Sequence, residues 1–310
     1  MNDRRFDLDL REPEDRPPAE PASCRRRRTS RAAGFSMLSL ALSLAALLLA
    51  GTALLLVLRE EPVTEEPEEE PFAIPFGDMR LTPLEGMPLN PYSKEGFSVD
   101  EQGRVAYRDG ERRARTGIDV STHQKDIDWA AVAGDGIEFA MLRLGHRGYS
   151  QGGLFLDKTF EQNLQGALNA GLDVGVYFFS QAVTPEEAVE EAEFVLEALK
   201  GQALSFPVAF DWESIPGDTA RTDGLDGETL TQCAAAFCAR IADAGYRPAV
   251  YFNRTQGYLH YDLRDLADYQ LWLAEYGAVP DFYYHFDLWQ YSHTGRVAGI
   301  QGDVDLDLAF

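Results

Sequence analysis

From residue 116 to the end of the chain, short apolar segments alternate with longer amphipathic segments. Eight apolar segments are typical of buried strands, and they lie at 116–120, 137–143, 174–180, 206–212, 248–252, 270–275, 286–291 and 303–308. Helical patterns lie between many of them, at 126–133, 157–171, 184–200, 228–245 and, more briefly, near 255–267. Because apolar strands that alternate with helices form mainly parallel sheets, eight of them predict an α/β fold with a β/α barrel. The last three strands have little helix between them, so we expect an irregular, TIM-like barrel with fewer helices than strands.

One of these strands ends in two carboxylates. The segment FPVAFDWE at 206–213 places Asp211 and Glu213 two residues apart, so both side chains point to the same side of the strand. Their Cα atoms are expected to lie roughly 6–7 Å apart, which should raise the pKa of at least one of them. A protonated acid beside an ionised carboxylate is what glycoside hydrolysis requires. On this segment alone, a strand end with two solvated acids, or with one acid paired to a basic residue, is an equally good interpretation.

The other strand ends also contain acids, amides and aromatic side chains. Active sites of β/α barrels form at the carboxyl ends of the strands. The residues there, in chain order, are Asp119, Arg143, Tyr177, Phe179, Asp211, Glu213, Tyr251, Asn253, Trp272, Glu275, Tyr276, Trp289, Gln290, Tyr291, Asp303, Asp305 and Asp307. Sugars bind aromatic faces with their apolar sides and carboxylates or amides with their hydroxyls, so this composition predicts a sugar cleft. About half of the aromatic residues are expected to fill the core instead, with Phe178, Trp212 and Trp289 as the best candidates.

Several spaced motifs resemble one enzyme family over residues 116–310. They are GIDVSTHQKDIDW (117–129), VGVYFFS (174–180), FDWE (210–213), YRPAVYFN (246–253), LWLAEY (271–276) and LWQYSHTGRVAGIQGDVDLDLAF (288–310). In these segments the chain resembles the glycoside hydrolase family 25 lysozymes, the Chalaropsis-type N-acetylmuramidases, which have an irregular α/β barrel. One departure is Phe178, where many members have histidine after the tyrosine.

The resemblance implies a role for each acid. Glu213 matches the general acid and Asp211 its carboxylate partner, while Asp119 and Asp305 match two further acids of the site. The bond expected to be cleaved is the β-1,4 bond between N-acetylmuramic acid and N-acetylglucosamine in peptidoglycan glycan strands. Asp211 could act as a nucleophile or orient the acetamido group of the substrate. Nine residues are expected to bind substrate: Tyr177, Phe179, Tyr251, Asn253, Trp272, Tyr276, Gln290, Tyr291 and Arg143.

Two other functions fit the same motifs. A chitinase-like N-acetylglucosaminidase would also use an Asp-x-Glu pair at a barrel strand, although the remaining motifs favour a muramidase. A non-catalytic, membrane-anchored glycan-binding protein would be indicated by the loss of an acid, yet all four acids are present. No cofactor and no metal are expected, since the five histidines are scattered and no metal-ligand spacing occurs.

The N-terminal region predicts a membrane anchor. Residues 1–34 are polar and end in an arginine run, and we interpret them as a disordered cytoplasmic tail. Residues 35–58 contain no charge and would form a helix about 36 Å long, enough to cross a bilayer. A cleaved signal peptide is the alternative. The preceding arginines place the N-terminus in the cytoplasm and the C-terminal part outside the cell.

Residues 59–115 are interpreted as a disordered acidic stalk and a weakly structured lead-in, with a small hairpin at 97–107. The catalytic domain is expected at 116–310. The formal net charge of −23 argues against nucleic acid as a partner, because phosphate binding needs a basic surface. We expect a monomer.

Overall fold

All eight predicted strands form one closed barrel in the computed structural model, which describes residues 72–215 and 217–310. The strands of the described residues are β1 (Ile74–Phe76), β2 (Met79–Leu81), β3 (Phe97–Val99), β4 (Val105–Asp109), β5 (Arg112–Arg113), β6 (Arg115–Val120), β7 (Phe139–Arg147), β8 (Leu154–Leu156), β9 (Asp173–Ser180), β10 (Val208–Trp212), β11 (Pro248–Asn253), β12 (Gln270–Ala274), β13 (Leu288–Gly295) and β14 (Val304–Ala309).

The barrel order is β6-β7-β9-β10-β11-β12-β13-β14, and β14 pairs with β6 to close it. Seven strands run parallel, while β14 is antiparallel to both of its neighbours. The short strand β8 folds back antiparallel onto the end of β7. The reversed direction of β14 determines which of its residues reach the rim where the parallel strands end.

Helices cover the barrel unevenly. They are α1 (Trp129–Gly134), α2 (Phe160–Asn169), α3 (Pro185–Leu199), α4 (Gly227–Asp243) and α5 (Arg254–Leu259), with 3₁₀ turns at Lys94–Gly96 and Thr122–Gln124. The predicted helix near 255–267 is thus shorter than expected. Beyond it, Asp262 accepts a hydrogen bond from the Arg264 backbone (3.1 Å), a local contact that competes with helix. No helix of the described residues lies between β12 and β14, which confirms the irregular barrel.

Side chains alternate between two apolar layers, one inside the barrel and one between the barrel and its cover. Inside, the Phe139 and Phe206 rings stack at 4.3 Å and close the end opposite the rim. A Cβ atom on Gly117 would lie 2.2 Å from the Phe139 ring, so only glycine fits there. Phe178, Trp212 and Trp289 lie in the outer layer, as predicted.

Residues 73–115 pack against the barrel, and the residues from Ala73 to Phe310 form one compact unit. Tyr92 stacks on Phe310 with 3.8 Å between ring centroids, and its hydroxyl donates to the Phe286 carbonyl oxygen (2.6 Å). The predicted hairpin exists as β3 and β4, to which β5 adds a third strand. The prediction of a weakly structured lead-in is therefore wrong for residues 73–115. Their aromatic side chains are spaced too irregularly to show a period, yet they cover the end of the chain.

This packing leads to a stability prediction. A fragment of residues 116–310 should be less stable than one of residues 73–310, because removing the lead-in uncovers Phe286, Trp289 and Phe310. Loss of Tyr92 alone should lower the free energy of unfolding by about 2–3 kcal/mol, below the range of about 3–5 kcal/mol for a fully buried ring, because Tyr92 is only partly buried. Urea unfolding of both fragments, and of Tyr92→Ala in the longer one, measures this. Coincident unfolding curves would contradict the prediction.

The predicted membrane span at 35–58, the tail before it and the acidic stalk to residue 71 lie outside the described residues. Within residues 72–310, no helix has the length and apolar character needed to cross a membrane.

Candidate active site

Three barrel strands bring acids to one rim. Asp119 on β6 pairs in register with Asp305 on β14, and Asp211 lies near the end of β10, with Glu213 two residues further on. Because β14 is antiparallel, Asp305 reaches this rim from the first half of its strand. The sequence prediction treated the eighth strand like the others, so its direction is corrected here. Asp303 precedes β14, is exposed, and pairs with Arg296 (2.7 Å) outside this group.

Two tyrosine side chains inside the barrel lie within electrostatic range of the four acids. Burial raises the pKa of Tyr177 well above its usual value, and the charges of Asp119, Asp211 and Asp305 raise it further, against the effect of Arg143. Burial also raises the pKa of Tyr251 well above its usual value, and the charges of Glu213, Asp211 and Asp119 add to it. Charge effects fall with distance, so Asp305 acts on Tyr177, Glu213 acts on Tyr251, and Asp119 and Asp211 lie within range of both phenol groups.

Gln290 links Tyr251 and Tyr276 to Asp119 through hydrogen bonds. Its Nε2 donates to Asp119 Oδ2 (2.6 Å), while its Oε1 accepts from Tyr251 (3.0 Å) and from Tyr276 (3.2 Å). Gln290 is only 3% exposed, so its amide is held by these bonds and orients the Asp119 carboxylate. The prediction that Gln290 and Tyr251 belong to the site agrees with this placement.

The strand end that presents Asp211 and Glu213 is held from both sides. Gln256 donates to the Trp212 carbonyl oxygen (2.7 Å) and Gln181 donates to that of Glu213 (3.1 Å). Sequence reasoning missed both glutamines. The signal for Gln256 was its position three residues after Asn253, the spacing of a capping box.

The side chain of Asn253 caps the N-terminus of α5. Its Oδ1 accepts from the Gln256 backbone (3.0 Å), and Gln256 Oε1 accepts from the Asn253 backbone (2.6 Å). Through Gln256, Asn253 also helps to position the end of β10.

The remaining predicted residues divide between the inner and outer layers. Tyr177 and Trp272 meet edge to face inside the barrel (6.0 Å), and Phe179 is half-buried on the same face of β9. Tyr276 is 40% exposed on the rim. Arg143 binds Asp157 (2.7 Å). Tyr291 lies in the outer layer beside Trp289 (5.5 Å).

Asp307 is an additional acid that the substrate-binding prediction did not include. It is fully buried inside the barrel, where Trp272 Nε1 donates to its Oδ1 (2.8 Å) and where it shares a hydrogen bond with Asp119. Burial, with the charge of Asp305 added, raises its pKa from 3.8 to about 8. Asp307 therefore keeps its proton to a higher pH than an exposed aspartate does. Trp272, which is 1% exposed, packs inside the barrel, and its indole N–H donates to this buried acid.

The raised pKa of Asp307 predicts a pH dependence of stability. Between about pH 4 and 8 the folded state keeps a proton that the unfolded state releases, so stability falls as pH rises and levels off above about 8. Asp307→Asn has no such proton, yet its amide can donate to Asp119 and accept from Trp272. As pH rises through this window, the free energy of unfolding of Asp307→Asn should therefore increase relative to that of the original protein, by up to about 1.4 kcal/mol per pH unit.

Thermal and urea unfolding between pH 4 and 9 measure this difference. Asp303→Asn, which changes an exposed acid on the same segment, is the matched control and should show no pH-dependent gain. Parallel stability curves for Asp307→Asn and the original protein would contradict the assignment of a buried neutral acid.

Among the residues that the structure describes, no group of three or more His, Cys, Asp or Glu side chains is arranged to hold a metal ion. The side chains on this rim carry carboxylate, amide and aromatic groups.

A closed barrel with four carboxylates and aromatic side chains on one rim defines the class of barrel glycoside hydrolases. The chain belongs to one family of this class, because the model of the glycosyl hydrolases family 25 matches residues 118–300.

Two similar proteins support the assignment to this family. The chain is 29% identical over 194 residues to the autolytic lysozyme of Clostridium acetobutylicum, covering 62% of this chain and 54% of that protein. It is 30% identical over 204 residues to lysozyme M1 of Streptomyces globisporus, covering 61% and 65%. The chain thus spans between half and two thirds of the length of these relatives.

Solved structures share the fold. The modular autolysin LytC of Streptococcus pneumoniae superposes with a TM-score of 0.56 at 25% identity, covering 69% of this chain and 52% of that one. The bacterial lysozyme of Streptomyces coelicolor superposes with a TM-score of 0.51 at 26% identity, covering 62% and 90%.

Proposed function

We propose that the protein is a peptidoglycan hydrolase of the muramidase type, which cleaves the β-1,4 bond between N-acetylmuramic acid and N-acetylglucosamine. The observation that supports this best is the placement of Asp119, Asp211, Glu213 and Asp305 at three strand ends on one rim of a family 25 barrel. The two curated relatives are named lysozymes, which agrees with the proposal.

In this mechanism Glu213 is the general acid. It lies just beyond the end of β10, where it is half-buried, and its backbone is held by Gln181. Protonated Glu213 gives its proton to the glycosidic oxygen as the bond to the sugar breaks. The hydrogen bonds from Gln181 and Gln256 hold the backbone at Trp212 and Glu213, and this positions the acid for proton transfer.

Asp211 stabilises the positive charge that develops on the sugar. It is 5% exposed, so its charge acts in a site with little water and is weakly screened. It does this either as the nucleophile or by orienting the acetamido group of the substrate, and both routes need it ionised. Asp119, oriented by Gln290, and Asp305 bind and orient the sugar ring at the same rim.

Digestion of purified peptidoglycan tests this function. Incubation with the full-length protein should release fragments whose new reducing-end sugar is muramic acid, and Glu213→Gln should release none above background. Glucosamine at the new reducing end would support a chitinase-like glucosaminidase instead. Binding of glycan without cleavage would support a non-catalytic glycan-binding protein.

The proposal extends to location. Residues 35–58 would anchor the protein in the cell membrane as a single span, with residues 1–34 in the cytoplasm and the barrel, acting as a monomer, outside the cell where peptidoglycan lies. The uninterrupted apolar run and the arginines before it support this topology.

Membrane anchoring predicts the form of the protein found in cells. The cell-associated protein should retain its N-terminal tail, should resist extraction by high salt, and should be released by detergent, because the apolar span remains in the bilayer. Mass analysis of the isolated protein measures this. A mature form that begins after Ala53 would contradict it and would indicate a cleaved signal peptide.

A further inference from the structure

A groove lies beside the acids, between the barrel and the N-terminal hairpin. One wall is formed by Val99, Gly103 and Val105 around the β3–β4 turn, and the other by Tyr276, Ser292 and His293 at the ends of β12 and β13. Its volume of about 370 Å³ lies within the range of roughly 300–1,000 Å³ usual for small-molecule sites. The hairpin wall precedes residues 118–300, so the segment matched by the family does not supply it.

The groove continues directly from the acids. Tyr276 lines the groove and also contacts the group of acids, because its hydroxyl donates to Gln290, which in turn donates to Asp119. The Tyr276 and His293 rings lie 4.4 Å apart at 49°, and with Tyr276 40% exposed they offer an aromatic surface at the entrance. Val99 on the opposite wall is 51% exposed. A glycan that passes over the acids in this direction would meet these two walls next.

Contacts with the barrel hold the hairpin wall in place. Phe97 packs edge to face on Trp289 (5.4 Å) and against Tyr107 (4.6 Å). Arg104 in the turn donates to the Asp135 carbonyl oxygen (2.8 Å) and to that of Arg296 (3.1 Å), and also pairs with the Asp135 carboxylate. The groove is therefore formed before a ligand arrives, so binding need not order the hairpin.

We propose that this groove is an added subsite for a sugar residue of the glycan strand, beyond the sugars that contact the acids. This inference rests on the proposed muramidase function, whose site it extends. The described residues that line the groove include no Asp, Glu, Lys or Arg, which suits a neutral sugar better than the charged stem peptides of peptidoglycan. Its wall has hydroxyl groups on Ser292 and Thr294, and the buried Nδ1 of His293 has no hydrogen-bond partner among the described residues.

A matched pair of hairpin variants tests the subsite. Val99→Asp replaces an exposed apolar side chain of the groove, which would contact the apolar face of a sugar, with a hydrated carboxylate. Ser98→Asp places the same charge on the preceding residue of β3, which is exposed and does not line the groove. The substrates are peptide-free glycan strands of increasing length, cleaved by the full-length protein. For the original protein, kcat/KM should rise when the strand becomes long enough to reach the groove.

Val99→Asp should lose that rise, with about a tenfold lower kcat/KM on long strands, which corresponds to about 1.4 kcal/mol of binding free energy, and it should equal the original protein on short strands. Ser98→Asp should behave like the original protein at every length. The same length dependence in Val99→Asp and Ser98→Asp would overturn the proposal, as would an effect of Val99→Asp that appears only on strands with stem peptides.

A binding measurement separates this proposal from the proposed function. Calorimetric titration of the Glu213→Gln protein with long peptide-free strands requires no cleavage, so it tests the groove even where catalysis is absent. About tenfold weaker binding after adding Val99→Asp, but not after adding Ser98→Asp, would support the subsite. Equal affinities would overturn it. Failure of the original protein to cleave any strand would overturn the muramidase function alone.

Discussion

Replacement of Glu213 by glutamine should reduce the rate of peptidoglycan cleavage by at least about 10²–10⁴-fold, the contribution typical of general acid catalysis. Glutamine keeps the shape of the side chain and its capacity for hydrogen bonds but has no proton to deliver. The backbone clamp from Gln181 does not involve the Glu213 side chain, so the strand end should keep its position. Reducing-end assays on purified peptidoglycan measure the rate, and Asp303→Asn serves as an acid-to-amide control that should retain normal activity.

The leaving group gives a sharper test of the role of Glu213. A synthetic substrate with an acidic phenol as leaving group needs little protonation, so the first step of Glu213→Gln on this substrate should be slowed much less than on peptidoglycan. Equal losses on both substrates would show that Glu213 is not the acid, although it could still be essential.

Replacement of Asp211 by asparagine should slow both substrates, by about 10²–10³-fold, the size of effect typical for removing one electrostatic contact to a developing charge. The positive charge on the sugar develops whatever the leaving group, so a good leaving group does not compensate. The same two assays measure this effect. Binding of a short glycan to Asp211→Asn should persist, because Gln290 and Tyr276 remain in place, and a circular dichroism melt controls for folding around this buried position.

The mirror-image result would reverse the assignment. If a good leaving group rescues Asp211→Asn and does not rescue Glu213→Gln, then Asp211 is the acid and Glu213 is the stabilising carboxylate. The two variants therefore distinguish the roles of two residues that lie only two positions apart at the end of β10.

Local sequence patterns were sufficient to predict which face of a strand each side chain occupies. The alternation in β10 placed Asp211 on the opposite side of the strand from Trp212, and the same rule put Phe178 and Trp289 in the outer layer, where they lie. The same rule places Tyr291, two residues after Trp289, on the outer face as well.

Strand direction was not predictable from the segment itself. The β14 sequence alternates in the same way whether it runs parallel or antiparallel, because a period of two is unchanged by reversal. Only the pairing with β6 shows that Asp305 lies beside Asp119 and that Asp307 lies deeper, against Trp272. The raised pKa of Asp307 follows from that depth and so could not be anticipated.

The sequence by itself determined the number and order of the barrel strands, the side of β10 that presents Asp211 and Glu213, and the resemblance to family 25, because each depends on residues near one another in the chain. Tertiary structure alone decided the direction of β14, the linkage of Asp119 to Gln290, the burial of Asp307 and the packing of residues 73–115 against the barrel. These features join segments up to about two hundred residues apart, and such contacts depend on which surfaces must exclude water together, which no local period encodes.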